Sequence, residues 1–308
     1  MRINSQNIGK FLVGAILFST VAMVAKTVIA ANIGSQVIVG NAAPTVSSVL
    51  VNGGVAITLT ANTTTVVQVN GTVTDSNGCS EILGGTSTIM LYRSGIGSST
   101  CTGTQNNLNC YKATAFTATS TCQGGTQINT TTTFSVYYFA NATDASSSYP
   151  TNTWMATIIA RDSNNSTGTA DSAGVELNTL TAIDVTAGSI NYGTISAGSD
   201  TASTNQTATS TNAGNSTTTL QLRAVSTLTS GANSIATSSQ RYATSSFTFP
   251  GGATQLSESL VSVSGYSLTA PTSTSNVARA TFWGLTVPGG TAQGTYNGTT
   301  EFAPLFQP

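Results

Sequence analysis

The chain has 308 residues, no histidine, 6% charged residues and a formal net charge of −1. Without histidine there is no Ser-His-Asp or Cys-His nucleophile, and general acid–base and transition-metal chemistry have few groups to draw on. The scattered cations form no basic patch for nucleic acid or an anionic membrane.

The N-terminus reads as an export signal. Arg2 and Lys10 precede an apolar stretch from Phe11 to Ala25; Lys26 and a small-residue site at Val28-Ile29-Ala30-Ala31 follow. This order predicts a signal peptide over residues 1–31. The alternative is an uncleaved anchor in which Lys26 snorkels to the interface. Beyond it, Arg93, Lys112, Arg161, Arg223, Arg241 and Arg279 face ten acidic residues, a net charge of −4.

Residues 32–43 (NIGSQVIVGNAA) form a spacer. From Pro44 the pattern takes a period of two, the mark of half-buried strands. Val55, Ile57, Leu59 and Ala61 share one face; Val67, Val69 and Val73 share another, with a turn at Val51-Asn52-Gly53-Gly54. Asp75-Ser76-Asn77-Gly78 closes the second of these, and 86–93 (TSTIMLYR) is a further strand. A Gly/Ser/Asn-rich loop fills 94–110. Strands follow at Thr132–Ala140 and through Trp154, Ala156, Ile158 and Ala160. The chain turns at Asp162-Ser163-Asn164-Asn165 and returns over 167–177.

The junction between halves is placed at 178–182. Ile183, Val185, Ile190 and Tyr192 open the second half, and Gln206–Ser210 leads to the turn Asn212-Ala213-Gly214-Asn215. Leu220, Leu222 and Ala224 then alternate with Thr219, Gln221 and Arg223. Phe247 with Phe249, Val261 with Val263, and Trp283 with Leu285 and Val287 mark later strands, and 295–302 is the last. No helical period is evident after residue 31. The Ser/Thr-rich patches at 199–219 and 225–246 read as polar strand faces and loops. The expected fold is all-β: two tandem β-sandwiches, 44–179 and 180–308.

Cys79, Cys101, Cys110 and Cys122 all lie in the first half. An even number in an exported chain predicts two disulfides, and of three possible pairings the nested one, Cys101–Cys110 inside Cys79–Cys122, is favoured. A zinc site would want C-x-x-C pairs or histidine, and neither is present. Asp75, Asn77, Asp144, Asp162 and Asn164 fall in predicted loops and offer oxygen ligands for calcium. The same D-S-N-G and D-S-N-N sequences are also ordinary turns, and no D-x-D-x-D cluster supports the metal. No other cofactor is expected. Lys112 lacks an S-x-x-K context, and Glu81, Glu176, Glu258 and Glu301 lack any flanking signature, so the chain is not expected to be an enzyme. Tyr137, Tyr138 and Phe139 put aromatics on both faces of one strand, where packing is the expected role. N-x-S/T sequons are frequent, Asn62, Asn70 and Asn297 among them.

The segment INYGTISAGSD…TATSTNAGNSTTTLQL at 190–222 resembles the opening strands of Ig-like domains in bacterial and archaeal surface proteins. The segment FWGLTVPGGTAQGTYNGTTEF resembles their closing hairpin. PTVSSVLVNGG and TIIARDSNNSTGTADSAGVEL in the first half resemble bacterial Ig-like or cadherin-like repeats, and the combination is similar to secreted proteins of candidate-phylum bacteria. The resemblance implies two Ig-like domains with a structural or adhesive role at a cell surface. The implied partners are a surface protein, a glycan or further copies of the chain; it says little about chemistry. Two alternatives stand beside it: a filament or surface-layer subunit assembled by β-strand exchange, and a carbohydrate- or cell-wall-binding module. For the latter, Trp283-Gly284-Leu285 resembles the W-x-L tripeptide of cell-wall-binding domains, although those carry two such motifs and a core position for Trp283 is favoured.

Overall fold

The structure is a computed structural model that describes residues 33–307 apart from 104, 123, 187 and 276. The signal or anchor expected over 1–31 lies outside the described residues. Among the described residues no helix is long and apolar enough to cross a membrane. The chain divides between Gly40 and Asn41 into two units. In the first, residues 33–40 carry no secondary structure.

From Asn41 onward the protein is all-β apart from short helical turns. The first half carries β1 (Thr45–Val51), β2 (Thr64–Thr74), β3 (Thr88–Arg93), α1 (Gly97–Gly103), β4 (Cys110–Ala113), β5 (Thr117–Ala118), β6 (Gln127–Tyr137), β7 (Trp154–Arg161) and β8 (Thr167–Asp171). They form two antiparallel sheets, β1-β2-β6-β5 and β4-β3-β7-β8. The inward residues of both sheets meet in one core, with Val67, Val69, Val73, Ile89, Leu91, Val136, Trp154 and Ile158 fully or almost fully buried. The pleat explains the alternation: every second residue of β2 points inward. Gly71 takes its inward turn without a side chain because a Cβ there would lie 2.5 Å from Ile158 Cδ1 of the facing sheet. At one corner Gly168 of β8 runs so close to Pro44 that a Cβ would fall 1.9 Å from the Pro44 carbonyl oxygen, which brings β1 against β8.

The second half carries β9 (Ile183–Val185), β10 (Gln206–Asn212), β11 (Thr218–Ser230), β12 (Asn233–Ile235), β13 (Gln240–Ala243), β14 (Thr254–Gln255), β15 (Val261–Ser262), β16 (Ala278–Leu285) and β17 (Asn297–Phe306). One sheet runs β14-β13-β16-β10-β9. In the other, β11 is central, with β12 and β15 along one side and β17 along the other. Leu220, Leu222, Tyr242, Leu268 and Trp283 form a second core, separate from the first. The arrangement is sandwich-like in both halves.

Four expected elements differ. Residues 55–61 bury Ile57 and Leu59 but leave Val55 and Ala61, expected on the same face, exposed, and they form no strand. Only Ile57 pairs, bonding Glu176 and Asn178, because the β2 edge is already taken by β1. The Cys-bearing loop holds the short helix α1, whose one buried residue is Cys101. Seven Gly/Ser/Thr-rich residues show no apolar stripe, and the disulfide holds what propensity would not. Phe247 and Phe249 lie in a turn region; the strand of that segment is β13, just upstream. Their rings cover Gly284, where a Cβ would come within 3.1 Å of each. Ile190 and Tyr192 are likewise outside strands, although both pack on the second core.

Candidate functional site

The cysteines pair as Cys79–Cys122 and Cys101–Cys110, with Cα–Cα separations of 5.7 and 5.5 Å. The inner bridge fixes α1 to the start of β4, and the outer one ties the turn after β2 to the strand-poor segment before β6. Lys112, beside the inner bridge, donates its Nζ to the Thr102 carbonyl at 2.8 Å.

Of the five oxygen-bearing loop residues, four gather at one end of the first sandwich. Asp75 and Asn77 turn the chain after β2, and Asp162 and Asn164 turn it after β7. Asn41 and Ala42 strap the two turns together. Asn41 Nδ2 donates to Asp162 Oδ2 at 2.8 Å, and the Ala42 N–H donates to Asn77 Oδ1 at 2.6 Å. Asp162 Oδ1 accepts the N–H groups of Asn164 and Ser166 at 2.9 and 2.7 Å. The Asn41 amide, with help from those backbone donors, holds the Asp162 carboxyl below the usual carboxylate range, against the opposing effect of desolvation. Asp75 Oδ1 accepts the Asn77 N–H at 2.8 Å, while its Oδ2 is buried without a partner. Calcium takes six to eight oxygens. In the structure N–H donors reach both oxygens of Asp162, and Asp75, Asn77, Asp162 and Asn164 serve as turn residues. They make two Asx-type turns closed by a strap.

Asp144 lies at the other end of that sandwich. It accepts the Thr179 N–H and hydroxyl at 2.7 and 2.6 Å, which anchors the chain as it leaves the first half. Next to it is a constellation that the turn signal at 212–215 marked only as a turn. The Asn215 N–H donates to Leu180 O and the Ala213 N–H to Ala182 O, both at 3.0 Å. Asn215 Oδ1 accepts the Leu180 N–H at 2.6 Å, and its Nδ2 reaches Ala140 O and Asn178 O at 3.1 and 3.2 Å. The Asn62 N–H crosses to Ala213 O at 3.0 Å. Asn212, itself buried, bonds Ser216, Leu268 and Thr269 carbonyls and the Gly214 N–H, which fixes the turn from behind. A tight turn of the second half thus clasps the connecting chain and the end of the first half.

The aromatic run packs. Tyr138 and Phe139 are buried, and Tyr137 stacks on Phe139 with ring centroids 5.1 Å apart. Trp283 is fully buried; its Nε1 donates to Thr281 Oγ1 at 2.9 Å and its ring meets Tyr242 and Phe302. Glu301 pairs with Arg223 at 2.6 Å on the exposed face of β17 and β11. Among the described residues no three Cys, Asp or Glu side chains come together as metal ligands.

No family model matches the chain. No curated protein matches it either.

Proposed function

We propose that this chain is an extracellular or cell-surface structural and adhesion protein. In this reading it consists of two tandem Ig-like β-sandwiches, 44–179 and 180–308, behind an export signal or anchor. It acts by contact through loops and strand edges, with no turnover. Its partners are a surface protein, a glycan or other copies of itself.

The observation that carries this reading is the clasp at the junction. Three hydrogen bonds from the 212–215 turn, with Asn62, Ala140 and Asn178, cross between the two halves, and three more hold the connecting chain at Leu180 and Ala182. A stiff tandem transmits force and fixes spacing, which suits a surface spacer or adhesin; default tandem domains move relative to one another. Two disulfides fit an oxidising compartment, where small extracellular β-domains are stapled in this way. The buried Trp283 offers no ring to a cell wall, so the W-x-L likeness adds no support for that alternative.

Labelling of intact producing cells with a membrane-impermeant amine or carboxyl reagent tests the reading. The expected result is labelled protein with all four thiols oxidised. Unlabelled protein carrying free thiols in the cytoplasmic fraction would overturn it.

A further inference from the structure

Residues 33–40 have side chains that water alone should not hold. Ile33, Val37, Ile38 and Val39 are 90, 83, 85 and 78% exposed, the four most exposed large apolar side chains among the described residues. No charged residue and no proline lies between Ile33 and Ala43. An uncharged, proline-free window rich in β-branched residues and without secondary structure of its own is suited to add as a strand to a sheet edge.

The second half presents such an edge. β17 is ten residues long and pairs only with β11. On its other side β11 bonds β15 and its neighbours through Thr218, Leu220 and Ala224. Backbone direction alternates along a strand, so Thr219, Gln221 and Arg223 face β17 and bond Leu305, Ala303 and Glu301. The outward backbone groups of β17 are then those of Thr300, Phe302, Pro304 and Phe306. Pro304 supplies no N–H, as proline in an edge strand should, which leaves three donors and four acceptors unpaired by any strand among the described residues.

Side chains match as well. In an added strand Val37 and Val39 share one face and Ile38 takes the other. The inner face of β17 offers the half-buried Phe302 and Phe306, and its outer face offers Leu305, 41% exposed.

We infer that residues 33–39 of one copy add as a strand to the edge of β17 in a second copy. The contact joins the N-terminal segment of one chain to the C-terminal strand of the next. It is heterologous, so it repeats head to tail instead of closing as a dimer. This inference rests on the surface-structural reading and gives it a mode of assembly.

The test uses the full chain as recovered from the producing cell envelope, and two variants. Val37→Lys with Val39→Lys disables the donor. Thr300→Pro with Phe306→Pro removes two outward N–H groups and no bond to β11. Leu305→Lys, on the outer face, is a second edge variant if the prolines lower the melting temperature. Sedimentation velocity and negative-stain microscopy should show a ladder of oligomers for the parent and monomers for each variant alone. A mixture of donor and edge variants should stop at a one-to-one dimer, since each retains one functional end.

A parent that stays monomeric overturns the inference. So does a ladder that survives the lysines, or one lost with the lysines but kept with both edge variants. Intact-cell labelling separates the two failures. A labelled monomer removes strand addition and leaves the surface role; an unlabelled protein removes the surface role whatever its oligomers.

Discussion

Gly214→Ala is the sharpest test of the clasp. A Cβ at 214 would lie 2.1 Å from the Leu180 carbonyl oxygen, 2.9 Å from its carbon and 3.0 Å from the Ala182 nitrogen. All three are backbone atoms and cannot swing aside. Ordinary contact needs about 1 Å more, so either the turn or the connecting chain must withdraw. Withdrawal stretches the bonds from Ala213 to Ala182 and from Asn215 to Leu180, both 3.0 Å now. Overpacking costs about 1–3 kcal/mol and each of the two lost hydrogen bonds about 1 kcal/mol, so a loss of about 3–5 kcal/mol is expected. The molecule carries its own reporters: Trp154 is buried in the first core and Trp283 in the second, and there is no other tryptophan. Urea unfolding would be followed in Trp154→Phe and Trp283→Phe backgrounds, each with and without Gly214→Ala. The two transitions should coincide in the parents and separate in the variants, because the clasp couples the sandwiches. Gly85→Ala is the control, since nothing lies within 4 Å of a Cβ at that position. Coincident transitions with a change under about 0.5 kcal/mol at Gly214 would refute the argument.

Three further outcomes are expected. Replacing both cysteines of each bridge with alanine should cost more for Cys79–Cys122, which spans 43 residues, than for Cys101–Cys110, which spans nine. Loop entropy gives about 4 against about 2.6 kcal/mol, and calorimetry showing the reverse order would contradict it. Asp162 binds its proton less readily when folded, so its contribution is present above the unfolded pKa and is lost as pH falls through the folded value. Asp162→Asn should therefore be less stable than the parent at neutral pH and show a flatter acid limb below about pH 4 in thermal melts; parallel acid limbs would argue against the Asn41 strap. Burial raises the pKa of five of the nine tyrosines, Tyr111, Tyr138, Tyr192, Tyr242 and Tyr266. Their neutral forms favour the folded state, a contribution complete below the unfolded pKa near 10 and lost as pH rises beyond it. Absorbance titration should show these five tyrosines ionising only with unfolding; their ionisation in a still-folded protein would refute the burial.

Much of the fold was legible from period and punctuation. The alternation of Val67, Val69 and Val73, and of Leu220, Leu222 and Ala224, placed β2 and β11 because a pleated strand half buried in a sandwich must alternate. The Asp-Ser-Asn turns and the Asn212–Asn215 turn were equally clear, since Asn, Asp and Gly supply their own local bonds and tight backbone angles. Other features depended on partners far away in sequence. Alternation at 55–61 reports the burial of Ile57 and Leu59 and says nothing of whether a neighbouring edge is free. α1 exists within a disulfide loop that no local propensity announces. Asn215 reads as a turn residue, and only the fold brings Ala140, Asn178 and Leu180 within reach of its side chain and backbone. The spacer expected over 32–43 did not foretell that Asn41 and Ala42 strap two turns of the first half, and the edge of β17 that no strand among the described residues pairs appears only when β11 is seen to bond β15 on its opposite side. Face and turn are local properties of the chain. Pairing, clasp and sheet edge are properties of which strands arrive next to one another, and that is settled by tertiary packing.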